Sequence, residues 1–181
     1  GLMFIFESTT KAMNLNDYIR IVPDFPKEGI SYKDITPLLQ NPKALDYCVQ
    51  KFTESISAEI DLVVGIESRG YFLATLLAKH FDAGFVPIRK KGKLPYKTLQ
   101  ESYDLEYGQD ILEIHEDAIQ PGQQVLIHDD VLATGGTAKA ACNLVERLGG
   151  EIVQCNFLIE LAFLEGRKKL STVEVNSLLQ Y

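Results

Sequence analysis

The chain's most chemically directed pattern is His128-Asp129-Asp130-Val131-Leu132-Ala133-Thr134-Gly135-Gly136-Thr137, where an apolar strand hands over to a helix. At the far end, Thr134 to Thr137 puts two hydroxyls and two glycines at a helix start. Unpaired N–H groups and the positive end of the helix dipole favour a phosphate monoester there. At the near end, Asp129 and Asp130 would repel a phosphate but are good acceptors for neighbouring sugar hydroxyls. Sugar at the acids and 5′-phosphate at the amides together make a ribose-phosphate cradle.

Other phosphate and acyl-transfer motifs fail on inspection. Gly65 to Gly70 has the interval of a P-loop, but Tyr71 stands where Lys is required, and no G-x-G-x-x-G occurs. A nucleophile elbow around Ser68 would need Gly at 66, where the chain has Ile66. His128 is accompanied only by His80 and His115, without ligand spacing, and reads as strand-end packing.

The elements that position these residues alternate. Asn41-Pro42 reads as a cap and first turn, and Leu45, Cys48, Phe52 and Ile56 then recur at helical spacing. Leu62 to Ile66 is a short continuous apolar run typical of a strand covered on both faces, and Gly70 to His80 reads as the next helix. Phe85 to Ile88 and Val125 to His128 are further strands. A helix carrying Ala138, Ala141, Val145 and Leu148 on one face stops at Gly149-Gly150, and Ile152 to Leu161 is the last strong strand. This rhythm predicts an α/β fold, a parallel sheet with helices on both faces and a site beyond Ile66, Ile88 and His128. Between the second and third strands charge separates: Arg89, Lys90, Lys91, Lys93 and Lys97 come without acids, while 101–117 carries seven acids without Lys or Arg. That excursion reads as a lid or as a solvated hairpin.

With 181 residues, 46% hydrophobic and 24% charged, the chain is long enough for one domain that buries roughly 70% of its unfolded surface. A formal charge of −7 argues against a nucleic-acid coat. The three cysteines, Cys48, Cys142 and Cys155, lack disulfide or zinc spacing and read as small buried hydrophobes of a cytoplasmic protein. The apolar run Leu2 to Phe6 is too short to span a bilayer, so no membrane partner is expected. Residues 1–12 read as an artificial addition or an alternative N-terminal extension, with the domain proper at 13–181.

The 128–137 segment resembles the phosphoribosyl diphosphate (PRPP) signature of the type I phosphoribosyltransferases. Further segments in order are similar to the adenine-specific members: Pro23-Asp24-Phe25-Pro26, Gly29, Asp34-Ile35-Thr36-Pro37, Glu67-Ser68-Arg69-Gly70, Ile88 to Pro95, Leu105-Glu106-Tyr107-Gly108 and Ser177-Leu178-Leu179-Gln180-Tyr181. The resemblance covers Met13 to Tyr181. It implies the type I phosphoribosyltransferase fold, a central parallel sheet flanked by helices, with a small N-terminal hood at about 13–40 and a flexible loop over the site at about 90–110. It implies transfer of the 5-phosphoribosyl group from PRPP to N9 of adenine, giving AMP and pyrophosphate, with Mg²⁺ and in a cytosolic homodimer. Two alternatives stand beside it: a 6-oxopurine phosphoribosyltransferase and a PRPP-sensing regulator of the same fold.

By the same resemblance Ala133, Thr134, Gly135, Gly136 and Thr137 take the 5′-phosphate, and Asp129 and Asp130 the ribose. Glu67, Ser68, Arg69, Arg89 and Lys93 serve the diphosphate, which holds most of the metal, and the Glu67–Ser68 bond is a cis peptide in the family. Phe25, Ser31, Tyr32 and Lys33 serve adenine, and Glu106 is the acid beside N7 on the mobile segment, which Tyr103 and Tyr107 help to order. Ser31 and Lys33 depart from the commoner β-branched residue and Arg, and Glu67 from the commoner Asp; Lys33 lacks the planar fork of Arg.

Overall fold

In the computed structural model, residues 12–105 and 107–181 are described, and they fall into two compact units that divide between Tyr47 and Cys48.

In the first unit, a 3₁₀ turn at Leu15–Tyr18 is capped by Asn14, whose side chain accepts from the Asn16 N–H. A two-stranded antiparallel ribbon follows, β1 (Arg20–Pro23) with β2 (Ser31–Asp34), and then the short helix α1 (Thr36–Leu39). The loop between the strands turns at Asp24 and Gly29, where the Asp24 carboxylate accepts from the Gly29 N–H at 2.8 Å. Leu15, Ile35, Leu38 and Ala44 are buried here. Helix α2 (Pro42–Glu54) runs on into the second unit, where it buries Cys48 and Phe52.

The second unit is built on a seven-stranded sheet of order β5-β6-β4-β3-β7-β8-β9. Its parallel part joins β3 (Leu62–Ile66), β4 (Gly84–Lys90), β7 (Gln124–Leu132), β8 (Glu151–Glu160) and β9 (Val175–Gln180). Helix α3 (Gly70–His80) packs on β3, β4 and β7, and α4 (Gly136–Arg147) on β5 to β8. Alternation along β3 serves both helices. Val64 and Ile66 join the cluster that α4 covers with Ala138, Ala141 and Val145, whereas Gly65 meets α3. A Cβ at Gly65 would stand 3.1 Å from the Ala74 Cβ and 2.7 Å from the Phe85 ring, so the strand-helix approach needs glycine.

Two features differ from the sequence reading, and a third decides between its alternatives. Strand β7 continues past His128 to Leu132, because Asp129 and Val131 still ladder to Phe157 and Ile159 of β8. The acid pair therefore lies inside the strand. A further parallel strand, β9, follows β8; its Asn, Ser and Gln residues hide it from an apolar-run criterion. The excursion forms a hairpin, β5 (Thr98–Leu105) with β6 (Gly108–His115), that extends the sheet antiparallel to β4. Lys90 pairs across the strands with Asp110 at 2.8 Å, and Glu101 pairs with Arg147 of α4 at 3.0 Å.

His128 is buried, as are all three cysteines, which are unbridged. Its Nδ1 lies 2.7 Å from the Asn156 Oδ1, its ring meets Phe52 edge-on, and its Nε2 has no partner among the described residues. Burial lowers its pKa from 6.5 to about 4, against the opposing effects of Asn156 and Asp130. Between those two values the unfolded chain takes up a proton that the folded chain refuses, so stability falls as pH drops through this window. The expected loss is on the order of 3 kcal/mol between pH 7 and 4. Urea midpoints at the two pH values, compared between the wild type and His128→Val, check it: the variant should show a shallower pH dependence.

Candidate active site

At the end of β3 the Glu67 N–H donates to the Ile88 carbonyl at 3.0 Å, and the Glu67–Ser68 bond is cis. The Glu67 carboxylate, 8% exposed, accepts from the Arg89 Nε and the Lys93 Nζ at 2.5 Å each. Burial pushes this carboxyl up, but hydrogen bonds and charge from Lys93 and Arg89 outweigh it and hold the pKa below the usual range. Arg89 also reaches the Lys93 carbonyl at 3.2 Å, which fixes the two cations as one cluster, Arg89 near the end of β4 and Lys93 on the loop after it. Glu67 thus holds both cations by charge and hydrogen bonds.

Arg69 caps α3 and pairs through Nε with the Asp130 Oδ2 at 2.7 Å. Gly70 opens the helix directly against the acid pair: a Cβ there would lie 2.8 Å from the Asp129 Oδ1 and 3.2 Å from the His128 carbonyl. Burial, together with the neighbouring Asp130 charge, raises the Asp129 carboxyl well above the ordinary range. The two acids therefore differ: Asp130 is paired with Arg69, whereas Asp129 carries the raised carboxyl beside it.

Immediately after β7, Ala133 and Thr134 lead to Gly135 at φ +86°, the N-cap of α4, and its carbonyl accepts from the Lys139 N–H at 2.9 Å. The left-handed conformation turns the chain from strand to helix and is open to glycine at little cost. Tyr103 of β5 lies over this helix start. Its ring would be 3.6 Å from a Cβ at Gly136, and its hydroxyl reaches Asp110 at 3.3 Å and interacts with Thr137. Acid pair, guanidinium and glycine turn are thus contiguous around the end of β7, with the Glu67 cation cluster at the ends of β3 and β4.

A phosphoribosyl transferase domain model matches residues 31–178. The chain is 61% identical over 170 residues to the adenine phosphoribosyltransferase of Christiangramia forsetii, covering 93% of this chain and 99% of that one. It is similar to the crystal structure of adenine phosphoribosyltransferase from Rhodothermus marinus, with TM-score 0.89, 60% identity, and 92% and 96% coverage. The Saccharomyces cerevisiae enzyme, solved with an imino-altritol bisphosphate and adenine, aligns with TM-score 0.87 at 40% identity over 90% and 95% of the two chains. This chain belongs to the adenine phosphoribosyltransferases.

The candidate adenine residues of this phosphoribosyltransferase lie in the first unit. Phe25 and Tyr32 meet edge to face with centroids 5.1 Å apart, and the Lys33 Nζ donates to the Ser31 Oγ at 3.0 Å. Phe25 is half exposed. Glu106 lies outside the described residues; of its neighbours, Leu105 and Tyr107 are exposed. The structure brings Arg69 to the acid pair, whereas Arg89 and Lys93 converge on Glu67.

Residues absent from the sequence reading also meet here. Gly166 packs against Gly135, and Glu160 gathers Arg167, Ser177 and Gln180. Ser177 and Gln180 stand in the quoted C-terminal motif, but no spacing in the sequence joins them to Glu160.

Proposed function

We infer that this chain transfers the 5-phosphoribosyl group of PRPP to N9 of adenine, releasing pyrophosphate and giving AMP. The observation that carries the reading is one strand-to-helix segment in which a compensated acid pair is followed within a few residues by a glycine turn at a helix N-terminus. Asp129 and Asp130 accept from the ribose hydroxyls, and the backbone N–H groups of Ala133 to Thr137 with the two Thr hydroxyls hold the 5′-phosphate. Arg69, Arg89 and Lys93, with the backbone at Ser68, meet the diphosphate and neutralise the charge it gains as the C1′–O bond breaks. Glu67 keeps Arg89 and Lys93 oriented for that task. Phe25 and Tyr32 pack on adenine, while the backbone at Ser31 and Lys33 reads its edge. Glu106 manages the proton at N7, giving it up as AMP is cleaved by pyrophosphate and taking it back in synthesis.

Magnesium fits as an ion shared with the substrate. No cluster of three or more acid, His or Cys ligands occurs among the described residues, and hard diphosphate oxygens supply the donors it prefers, with Asp129 and Asp130 beside it through the ribose hydroxyls they hold. When bound it adds positive charge beside the leaving group. No helix among the described residues is long and apolar enough to cross a membrane, and the unbridged cysteines suit a reducing cytosol. Phe72 and Leu76, 47% and 38% exposed and one turn apart on α3, support a homodimer that covers them.

Separate assays of AMP and IMP formation from PRPP test the activity. Magnesium-dependent AMP with little IMP is expected. IMP as the main product would mean a 6-oxopurine enzyme, and PRPP binding without transfer would mean a sensor.

A further inference from the structure

The C-terminal motif has no part in the chemistry above, yet its side chains converge on one buried carboxylate. Glu160, 5% exposed at the end of β8, accepts from the Arg167 Nε at 3.0 Å and Nη2 at 2.6 Å, from the Ser177 Oγ at 2.5 Å and from the Gln180 Nε2 at 3.4 Å. Arg167 also reaches the Val175 carbonyl at 2.8 Å. Backbone bonds close the same knot: Leu161 N–H to the Leu132 carbonyl, Tyr181 N–H to Glu160 and Ala162 N–H to Tyr181, each at 2.9 Å. Arg167 holds the Glu160 carboxyl below the usual carboxylate range, assisted by Ser177 and Gln180 against the effect of burial.

The residue before Arg167 lies against the glycine turn. A Cβ on Gly135 would stand 2.5 Å from the Gly166 carbonyl oxygen and 3.1 Å from its Cα. A Cβ on Gly166 would stand 3.0 Å from the Gly135 nitrogen and would run into the Ala133 carbonyl. Two backbones are in direct contact, and neither position has room for a side chain. Gly166 is buried in a 3₁₀ turn, Gly166–Leu170, that Arg167 fastens to Glu160.

We propose that Gly166 and the Glu160–Arg167 pair are positioning residues for the 5′-phosphate, and that Ser177 and Gln180 of the C-terminal motif serve the site by completing that pair. The proposal rests on the reading of Ala133 to Thr137 as the phosphate turn. Amides that bind an anion must be held to a fraction of an ångström, and a peptide packed beneath the turn supplies that support. A bidentate guanidinium–carboxylate pair fixes angle as well as distance, which Lys cannot reproduce.

The test compares AMP with adenosine, which lacks the phosphate, in calorimetric titrations of wild type, Gly166→Ala, Arg167→Lys and Ser177→Ala, with melting curves for each. Gly166→Ala should weaken AMP by about 10- to 100-fold and raise KM for PRPP, while adenosine affinity and KM for adenine stay within about two-fold. Arg167→Lys should move the same ratio in the same direction by less, and Ser177→Ala by least. If Gly166→Ala does not fold, the other two variants decide by the same ratio. Folded variants with an unchanged AMP to adenosine ratio, or with equal losses of both, overturn the positioning role. A wild type that forms no AMP overturns the proposed activity and this role with it.

Discussion

Replacing Glu106 with Leu is expected to lower turnover by about 10²- to 10⁴-fold, the range that general acid–base catalysis typically contributes. The dissociation constant for PRPP should stay within about two-fold, because the carboxyl is assigned to the purine N7 and not to the sugar or its phosphates. Single-turnover rates combined with a PRPP titration separate the two quantities. A loss of PRPP affinity as large as the loss of rate would place Glu106 among the binding residues and remove its acid–base role. The described strands β5 and β6 are anchored by other residues. Arg147 of α4 holds Glu101 and the Gln100 carbonyl, and Glu113 takes Gln100 and the Gly92 N–H, so a change at 106 leaves these fixings intact.

The second large effect is expected at the acid pair. Charge-assisted hydrogen bonds contribute about 1.5–3 kcal/mol each, so removing both carboxylates in Asp129→Ala/Asp130→Ala should weaken PRPP by about 10²-fold or more. Inorganic phosphate, which needs only the Ala133 to Thr137 turn, should bind that variant about as it binds the wild type. Asp130→Asn keeps the shape and an acceptor oxygen toward the sugar while removing the charge of the Arg69 ion pair. Its loss should therefore be smaller than that of Asp129→Ala/Asp130→Ala. Unchanged PRPP affinity in the double variant would remove the ribose assignment, and parallel loss of inorganic phosphate would mean that the turn had collapsed.

What was legible in the sequence is what short-range pattern encodes. Continuous apolar runs mark β3, β4 and β7 because these strands are covered on both faces, and the periodic small residues of α4 mark the helix that packs over them. The acid pair and the glycine turn are readable because both ends of the cradle are contiguous in the chain. What the sequence hid depends on contacts between distant residues. Gly70 is needed because α3 starts against the Asp129 carboxylate, and Gly166 because a later turn lies under Gly135. Neither requirement leaves a local signature. Arg69 reads as a ligand for the diphosphate, yet its partner in the fold is Asp130, some sixty residues away. His128 likewise pairs through Nδ1 across the sheet with Asn156, its register partner on β8. Strand β9 escaped because its half-buried, polar-rich residues carry no apolar run.

One structural measurement bears most directly on the cradle: crystals of the wild-type protein soaked with PRPP and magnesium in the absence of adenine. The ribose O2′ and O3′ should lie within hydrogen-bond distance of the Asp129 and Asp130 carboxylates, and the 5′-phosphate oxygens on the amides of Thr134 to Thr137. A pentose seated elsewhere, or one whose phosphate lies at the acids and whose hydroxyls lie at the glycine turn, would contradict it.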